Sequence, residues 1–414
     1  MSLLAIETTG PVCSAVLRLE DGRLFRRKGT EGLRHLTSLI PMVEGVLAEA
    51  GLPARDLECI AVSAGPGSFT GIRIGVATAR ALAQTLGIPV IKVPTLEAFV
   101  YLREREEGQP PDIVCPVFDA RRGQMYAGAY ALEENGRIMT LVPGAAWDPV
   151  DFLASLEASM AAYARYRRHR ARGEDAPPAP GICFMGDGVP VFKDALGIPG
   201  AQFFPEAVQD AEAVLSWALD FGRPERYDAL LPIYMRKAEA QRKLDEKSSQ
   251  GAASAPNLPL REAGEEDVLG ISVVEQLSFG EPWLEKSIRD DLELDYSDYV
   301  VCERDGVVLG YAGLHRIGEE GDITNIAVHP AVRRKGIGTA VLAELIRRAE
   351  AAGVKDFSLE VRVSDKGAAA MYEKAGFLGE GHRKSYYPTD DGAREDALIM
   401  WRRGSGKKAE YIIV

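Results

Sequence analysis

Residues 324–339 read Thr-Asn-Ile-Ala-Val-His-Pro-Ala-Val-Arg-Arg-Lys-Gly-Ile-Gly-Thr, and this stretch decides the fold of the C-terminal half. Residues 324–328 gather β-branched and apolar side chains just before a His-Pro pair, which predicts a strand. The segment after the proline predicts an amphipathic helix to about residue 353. Its apolar side chains recur at every fourth position, at Ile337, Val341, Leu345 and Ala349.

A cationic, glycine-rich turn, residues 333–338, separates this strand from the helix. Gly336 and Gly338 let the backbone approach a ligand closely, and the free amides of a helix start favour an anion. Three cationic side chains strengthen that field. We therefore predict a diphosphate as the ligand. The alternative is a basic helix start that follows an ordinary glycine turn.

The order strand, Arg-x-x-Gly-x-Gly, helix resembles the acetyl-CoA loop of the GNAT acetyltransferases and differs from a nucleotide P-loop. Three further motifs are similar to the RimI family of ribosomal-protein N-terminal alanine acetyltransferases. The resemblance covers about residues 259–403 and implies acetyl-CoA as cosubstrate and a ribosomal protein N-terminus as acetyl acceptor. The motifs are Leu-Glu-Val-Arg-x-Ser at 359–364, Ala-Met-Tyr-x-x-x-Gly-Phe at 370–377 and Tyr-Tyr-Pro at 386–388.

The same resemblance implies roles for single residues. Glu360 would be the general base and Tyr372 the general acid, although the pattern alone fits a solvated Glu360 and a core Tyr372. Asp365 stands where the family has an asparagine that hydrogen-bonds to CoA, so we expect weaker cofactor affinity. Backbone groups of Ile326, Ala327 and Val328 would contact the acetyl arm. The diphosphate would lie against Arg333, Arg334, Lys335, Gly336, Ile337, Gly338 and Thr339.

Length and composition define the class of protein. At 414 residues, with 46% hydrophobic and 27% charged residues, the chain predicts a globular protein of two or three domains. We expect a cytoplasmic protein without membrane contacts, because no apolar run reaches ~18 residues and no signal-peptide pattern is present. Five cysteines without Cys-x-x-Cys spacing favour reduced thiols, and we predict no metal. The net charge of −12 argues against nucleic-acid binding over the whole surface.

The first half alternates strands and helices in an order that repeats. A strand ends at Glu7 before a glycine turn, and a second strand ends at Asp119 before another. Three strands, a helix, then strand–helix–strand is the order of the ribonuclease-H-like fold. The repeat indicates two such halves, at about residues 1–105 and 110–240, as in the actin and sugar-kinase superfamily.

Four motifs in this half resemble the TsaB family, accessory subunits in the threonylcarbamoyladenosine (t6A) modification of tRNA. The resemblance implies a TsaD-type catalytic partner bound through helices at about 33–49 and 71–86, with a TsaE-type ATPase and tRNA as indirect partners. The second helix is apolar nearly all round, so burial inside its own domain is the alternative. If it binds the partner, arginine at Ala77 or Ala83 should block binding without unfolding the domain. The motifs lie at residues 6–9, 64–73, 119–121 and 232–236.

The sequence favours a scaffold over an enzyme in this half. Phosphoryl transfer needs carboxylates and glycine loops, but Glu7 replaces the family's aspartate and Arg121 and Arg122 follow Asp119. His35 is a lone histidine that we expect at the surface or as a helix cap. ATPase activity is the weaker alternative. Residues 161–180, with an arginine-rich run, resemble an insertion that is either flexible or an RNA-phosphate contact.

The predicted organisation is a TsaB-like domain at 1–240, a flexible linker at 241–258, a GNAT domain with a split mixed sheet at 259–403 and a tail at 404–414. The predicted function is acetylation of a protein N-terminal α-amine by the second domain and a non-catalytic role in t6A formation for the first. The alternative is chiefly a t6A assembly subunit, with an acetyltransferase that is weakened or acts on the partner or on lysines. Acidic residues at 281–298 form either a solvated helix face or a rim that attracts a basic acceptor.

Overall fold

A computed structural model describes the chain in seven segments. The predicted linker lies outside the described residues except for residue 258, and so does the predicted tail beyond residue 404. The chain divides into two compact units, Met1–Leu156 with Pro178–Ala252 and Glu157–Pro177 with Ala253–Val414. The described segments are 1–29, 35–105, 111–133, 136–171, 177–235, 258–389 and 393–404.

Two five-stranded sheets of one topology form the first unit. The first contains β1 (Leu3–Glu7), β2 (Ser14–Arg18), β3 (Leu24–Lys28), β4 (Cys59–Gly65) and β5 (Val90–Pro94). The second contains β6 (Ile113–Asp119), β7 (Met125–Leu132), β8 (Ile138–Trp147), β9 (Ile182–Met185) and β10 (Gln202–Phe204). Each sheet runs in the order third, second, first, fourth, fifth, with the first three strands antiparallel and the last two parallel. This shared order confirms the predicted duplicated ribonuclease-H-like fold.

The helices of the first unit enclose two apolar cores. One core lies on the outer face of the first sheet under the first two helices, and the other joins the two sheets through the third and sixth helices. All five cysteines of the chain are buried and free, as their spacing predicts. The helices are α1 (His35–Ala50), α2 (Phe69–Leu86), α3 (Thr95–Ala98), α4 (Pro149–Arg170), α5 (Val189–Phe192) and α6 (Ala211–Phe221). Residues 157–170 of α4 belong to the second unit.

Part of the predicted flexible insertion at 161–180 is helical. Helix α4 continues to Arg170, and residues 172–176 lie outside the described residues. Tyrosine–arginine pairs four residues apart support its last turns, with Arg167 5.9 Å from the Tyr163 ring centroid and Arg170 6.0 Å from that of Tyr166. The cationic side chains also suit the negative end of the helix dipole. The expectation of flexibility is therefore wrong for residues 161–170.

Glycines of α2 press the helix against the loop that follows β1. A Cβ atom on Gly71 would lie 1.9 Å from the Thr8 carbonyl oxygen, and one on Gly75 would lie 2.4 Å from Thr8 Oγ1. The Thr8 hydroxyl donates a hydrogen bond to the Gly71 carbonyl at 2.8 Å. On the other side of the loop, His35 is buried with Nε2 2.8 Å from the Gly10 carbonyl oxygen, so its predicted surface position is wrong. That hydrogen bond is what allows the ring to be buried.

A seven-stranded mixed sheet forms the centre of the second unit. Its strands are β11 (Leu260–Glu262), β12 (Ser297–Arg304), β13 (Val307–Ile317), β14 (Glu320–Val328), β15 (Asp356–Arg362), β16 (Leu378–Pro388) and β17 (Arg394–Arg402). They lie in the order β11-β12-β13-β14-β15-β17-β16. The helices are α7 (Val268–Ser278), α8 (Glu285–Leu292), α9 (Ile337–Ala351) and α10 (Lys366–Lys374). None of the described helices, in either unit, is long and apolar enough to cross a membrane.

The tight packing of α2 makes a prediction about stability. We expect Gly71→Ala to lower the free energy of unfolding by about 2–4 kcal/mol, because the new methyl group meets backbone that cannot move freely. Gly45→Ala in α1 is the matched control, because its Cβ would meet the flexible end of Arg27 at 3.1 Å and should leave stability unchanged or raise it by up to ~1 kcal/mol. Urea denaturation of both variants measures this, and equal stability of the two would contradict the packing described.

Candidate functional site

Strands β14 and β15 part in the middle of the second unit's sheet. Within the described chain they pair in parallel from Glu320 opposite Asp356 to Ile323 opposite Leu359, and no further. Residues 325–328 go on pairing with β13, and residues 360–362 with β17. A register shift in the β13–β14 pairing next to Gly313 coincides with the point of separation. The facing edges therefore border an open cleft, and an exposed strand edge can bind an extended ligand as an added strand.

The glycine turn starts α9 just after the open part of β14. Gly336 is the N-cap residue, with a φ of 83°, and Arg334 also has a positive φ, of 63°. A Cβ atom on Gly338 would lie 3.2 Å from the sulfur of Met371 in α10 and 3.4 Å from Val328 Cγ2. The turn thus brings β14, α9 and α10 close together. The first amides of a helix have no partner within it, so this turn is suited to an anion.

The turn carries three cationic side chains, and Arg333 is bound to the protein by two hydrogen bonds. Arg333 donates from Nε to the Val328 carbonyl oxygen at 3.0 Å and from Nη2 to Ser278 Oγ at 3.1 Å. Its guanidinium therefore ties the turn to the end of α7 and is directed at the protein. Arg334 and Lys335 lie beside Gly336, and the side chains of all three cations are exposed. Arg333 differs from the other two in its hydrogen bonds to Val328 and Ser278.

Glu360 lies on β15, the second wall of the cleft. Its carboxylate forms an ion pair with Arg383 of β16, with Nη2 2.8 Å from Oε1, and the side chain is 25% exposed. The Tyr386 hydroxyl also donates to this carboxylate, and that hydrogen bond is the main reason why the pKa of Tyr386 is raised. The Tyr387 hydroxyl donates to the Glu360 backbone carbonyl at 3.1 Å. Glu360 is therefore held by side chains of the neighbouring strand.

Helix α10 carries Tyr372, and Asp365 is its N-cap residue. The Asp365 carboxylate caps the helix by accepting a hydrogen bond from the Ala368 amide at 2.9 Å. Tyr372 is 8% exposed, and burial, followed by the charge of Asp365, raises the pKa of its phenol. The pKa of Tyr387 is raised to about 12 by burial and then by the charge of Glu360. Both phenols therefore keep their protons at neutral pH.

The structure adds two charged residues that sequence reasoning missed, Arg383 and Glu275. Glu275 of α7 is 1% exposed, and burial raises the pKa of its carboxyl group. Its carboxylate accepts hydrogen bonds from the Tyr311 hydroxyl, from Asn325 Nδ2 at 3.2 Å and from the Trp283 amide at 2.8 Å. A glutamate inside an apolar helix stretch was the available signal, but its partners in the sheet lie 36 and 50 residues away.

The acidic segment at 281–298 is only partly a surface feature. Asp291 is 8% exposed and accepts hydrogen bonds from the Tyr299 hydroxyl at 2.7 Å and from His315 Nε2 at 2.8 Å. Asp298 forms an ion pair with Arg316 at 2.8 Å. Two of the acidic side chains thus make contacts within the protein. Neither the predicted solvated helix face nor the predicted rim for a basic acceptor fits these two residues.

In the first unit, the two predicted carboxylates are engaged by their own loops. Glu7 is buried, which raises its pKa, and its carboxylate accepts hydrogen bonds from the Thr9 amide and the Ser63 side chain. The Asp119 carboxylate accepts from the Arg121 amide at 2.7 Å and from Arg121 Nη1 at 3.0 Å. Among the described residues, no three His, Cys, Asp or Glu side chains converge as metal ligands.

Two family models match the chain, one over each half. The model of TsaD, tRNA N6-adenosine threonylcarbamoyltransferase, matches residues 32–246, and that of the acetyltransferase (GNAT) family matches residues 270–377. An uncharacterized protein of Mycobacterium leprae (strain TN) is 29% identical over 413 residues, which cover 97% of this chain and 98% of that protein. The two halves therefore occur together in another protein.

Two further relatives each match one half. The tRNA threonylcarbamoyladenosine biosynthesis protein TsaB of Bacillus subtilis (strain 168) is 31% identical over 249 residues, 59% of this chain and 97% of that protein. The [ribosomal protein bS18]-alanine N-acetyltransferase of Escherichia coli (strain K12) is 39% identical over 127 residues, 31% of this chain and 84% of that protein. GNAT acetyltransferases use acetyl-CoA as cosubstrate. The chain therefore belongs to two families, TsaB in its N-terminal half and the RimI-like GNAT acetyltransferases in its C-terminal half.

Proposed function

We propose that the C-terminal half transfers the acetyl group of acetyl-CoA to the N-terminal α-amine of a protein, with a ribosomal protein N-terminal alanine as the acceptor. The observation that carries the proposal is the cleft between β14 and β15, which has a glycine-rich helix start at one end and Glu360 on one wall. The identity of 39% to a bS18-alanine N-acetyltransferase supports this acceptor. The proposed acceptor is a ribosomal protein, and tRNA is a proposed indirect partner, so we place the protein in the cytoplasm.

The open edge of β14 and the glycine turn would bind different parts of acetyl-CoA. Backbone groups of residues 326–328 would hold the acetyl arm, as a strand partner would. The first amides of α9, with Arg334 and Lys335, would hold the diphosphate, while Arg333 keeps the turn in place. The Asp365 carboxylate caps α10, so its proposed effect on affinity acts through the helix that carries Tyr372.

The reaction forms one bond and breaks one. The neutral amine nitrogen attacks the thioester carbon, and collapse of the tetrahedral intermediate breaks the C–S bond. The amine's proton passes through a water molecule to Glu360, and the departing sulfur takes a proton from the phenol of Tyr372. Because the pKa of Tyr372 is raised, its phenol is still protonated when the thiolate leaves.

The rival proposal makes the chain chiefly an assembly subunit for t6A formation, with an acetyltransferase that is weakened or directed at the partner or at lysines. The fusion itself supports it, because the first half is 31% identical to a TsaB protein along 97% of that protein. Thiol release from acetyl-CoA with peptides that start with alanine, compared with the purified partner and with lysine peptides, separates the two proposals.

For the N-terminal half we propose a non-catalytic role, in which α1 and α2 bind a TsaD-type subunit and bring in a TsaE-type ATPase and tRNA indirectly. The closed loop after β1 and the buried Glu7 support this role over ATPase activity. Ala77 and Ala81 are exposed on one face of α2, but Ala83 is fully buried. Arginine at Ala83 would therefore unfold the domain, and the expectation that it is a surface position is wrong. Phosphate release from ATP by the full chain would refute the non-catalytic role.

The acid–base roles predict the effect of two substitutions. We expect Glu360→Gln and Tyr372→Phe each to lower kcat about 10²–10⁴-fold, because each removes one proton-transfer group. The Kd for acetyl-CoA, measured by calorimetry, should stay near the wild-type value. Tyr296→Phe is the control, since this tyrosine is 47% exposed and makes an edge-to-face contact with His315. Wild-type turnover by either of the first two variants would exclude the role of that residue.

The assembly role predicts where a charge disrupts binding. Ala77→Arg and Ala81→Arg should abolish co-purification with a TsaD-type subunit, because each places a cation on the exposed face of α2, while the melting temperature stays unchanged. Ala195→Arg is the matched control at an exposed alanine of the other half of the unit. Retained binding by both α2 variants would rule out this face as the interface.

A further inference from the structure

We propose that Arg383 is a positioning residue that holds Glu360 and offsets its negative charge, so that the acceptor amine loses its proton there. The inference rests on the proposed acetyl transfer and adds a residue that neither the sequence motifs nor the family comparison assigns. It follows from the ion pair between Arg383 and Glu360, whose atoms Nη2 and Oε1 lie 2.8 Å apart.

A bulge in β16 brings Arg383 to Glu360. The pairing with β17 advances from Arg383 opposite Ala397 to Tyr387 opposite Glu395, four residues on one strand against two on the other. Ser385, inside the bulge, has a φ of 50°, in the left-handed region. Bulges change the direction of side chains and are frequent beside active sites. Arg383 and Tyr386, on the two sides of Ser385, both contact the Glu360 carboxylate.

The three side chains hold one another in place. The Arg383 guanidinium lies 4.8 Å from the centroid of the Tyr386 ring, while the Tyr386 hydroxyl donates to Glu360. A cation over an aromatic ring is stabilised by the ring's electron-rich face. Arg383 is 53% exposed, so an isolated ion pair here would be weak. The additional contacts give the guanidinium a defined position.

The other charged and titratable groups around Glu360 have partners of their own. Arg362 of β15 forms an ion pair with Glu395 of β17 at 2.7 Å and lies 4.6 Å from the Tyr387 ring centroid. Tyr387 and, from α10, Tyr372 keep their protons at neutral pH, since the pKa of each is raised. Asp365, also of α10, caps its own helix. The positive charge at Glu360 therefore comes from Arg383.

This charge favours loss of the proton from the acceptor amine. An α-amine has a pKa of ~8 and is mostly protonated at neutral pH, whereas attack on the thioester requires the neutral form. A neighbouring cation disfavours a second positive charge. Without Arg383, the bound amine would retain its proton to a higher pH. This change moves activity towards higher pH.

The test is the pH profile of kcat, which reports groups of the bound complex, for a peptide that starts with alanine, at saturating peptide and acetyl-CoA, through the neutral and alkaline range. Arg383→Gln should move the acidic limb up by about one pH unit, which is an about tenfold loss at neutral pH that recovers in alkali. Arg383→Lys retains the cation and should keep the limb near its wild-type position. Arg403→Gln is the matched control, because it breaks an ion pair of 3.0 Å between Arg403, which follows β17, and Glu380 of β16.

Other outcomes separate this inference from its alternatives. A merely structural role predicts a loss by Arg383→Gln that is equal at every pH, and that result, or no loss, would overturn the inference. Tyr386→Phe keeps the cation and should lower kcat without moving the acidic limb of the pH profile. This variant serves as the test if Arg383→Gln does not fold. Calorimetric binding of acetyl-CoA reports folding of each variant. If the wild-type protein acetylates no α-amine, the proposed function and this inference are both wrong. If the wild-type protein is active but the acidic limb does not move in Arg383→Gln, only this inference is wrong.

Discussion

The second unit depends on one departure from regular strand pairing, the separation of β14 from β15. The two strands share four residue pairs and then diverge, so each has an edge without a strand partner in the middle of a sheet. Backbone groups that are left unpaired inside a protein are costly unless water or a ligand satisfies them. The cleft is therefore the part of this sheet at which an extended ligand gains backbone hydrogen bonds, and the glycine turn and Glu360 lie on its two sides.

In the first unit, close backbone packing leaves no space beside the loop that follows β1. Gly71 and Gly75 allow α2 to approach Thr8 so closely that no side chain fits between them. The loop after β1 is closed, and the carboxylate that ends the strand is buried among its own hydrogen bonds. What this unit presents to other molecules is its surface, on which α2 carries exposed alanines. The second unit thus has a cleft between two strands of its sheet, whereas the loop after β1 in the first unit is packed tightly against α2.

The arginines around the cleft have two kinds of role. Arg333 and Arg362 are tied to the protein, the first to Val328 and Ser278 and the second to Glu395. These contacts hold the walls of the cleft. Arg334 is exposed at the glycine turn, and Arg383 forms an ion pair with Glu360. Arginine suits both roles because its planar guanidinium carries several donors and keeps its charge at any physiological pH.

The sequence by itself determined the two families, the duplicated fold, the split sheet and the glycine-rich turn that starts α9. These features depend on local spacing, such as the fourfold periodicity after Gly336 and the alternation around Glu360, which the chain displays without its partners. Only the tertiary structure decided that Ala83 is core, that Arg333 faces the protein, and that Arg383 and Glu275 belong to the site. Each of these depends on contacts between side chains far apart in the sequence. A helix that is apolar all round does not show which face is buried, and an arginine on a strand does not show which carboxylate a bulge brings to it.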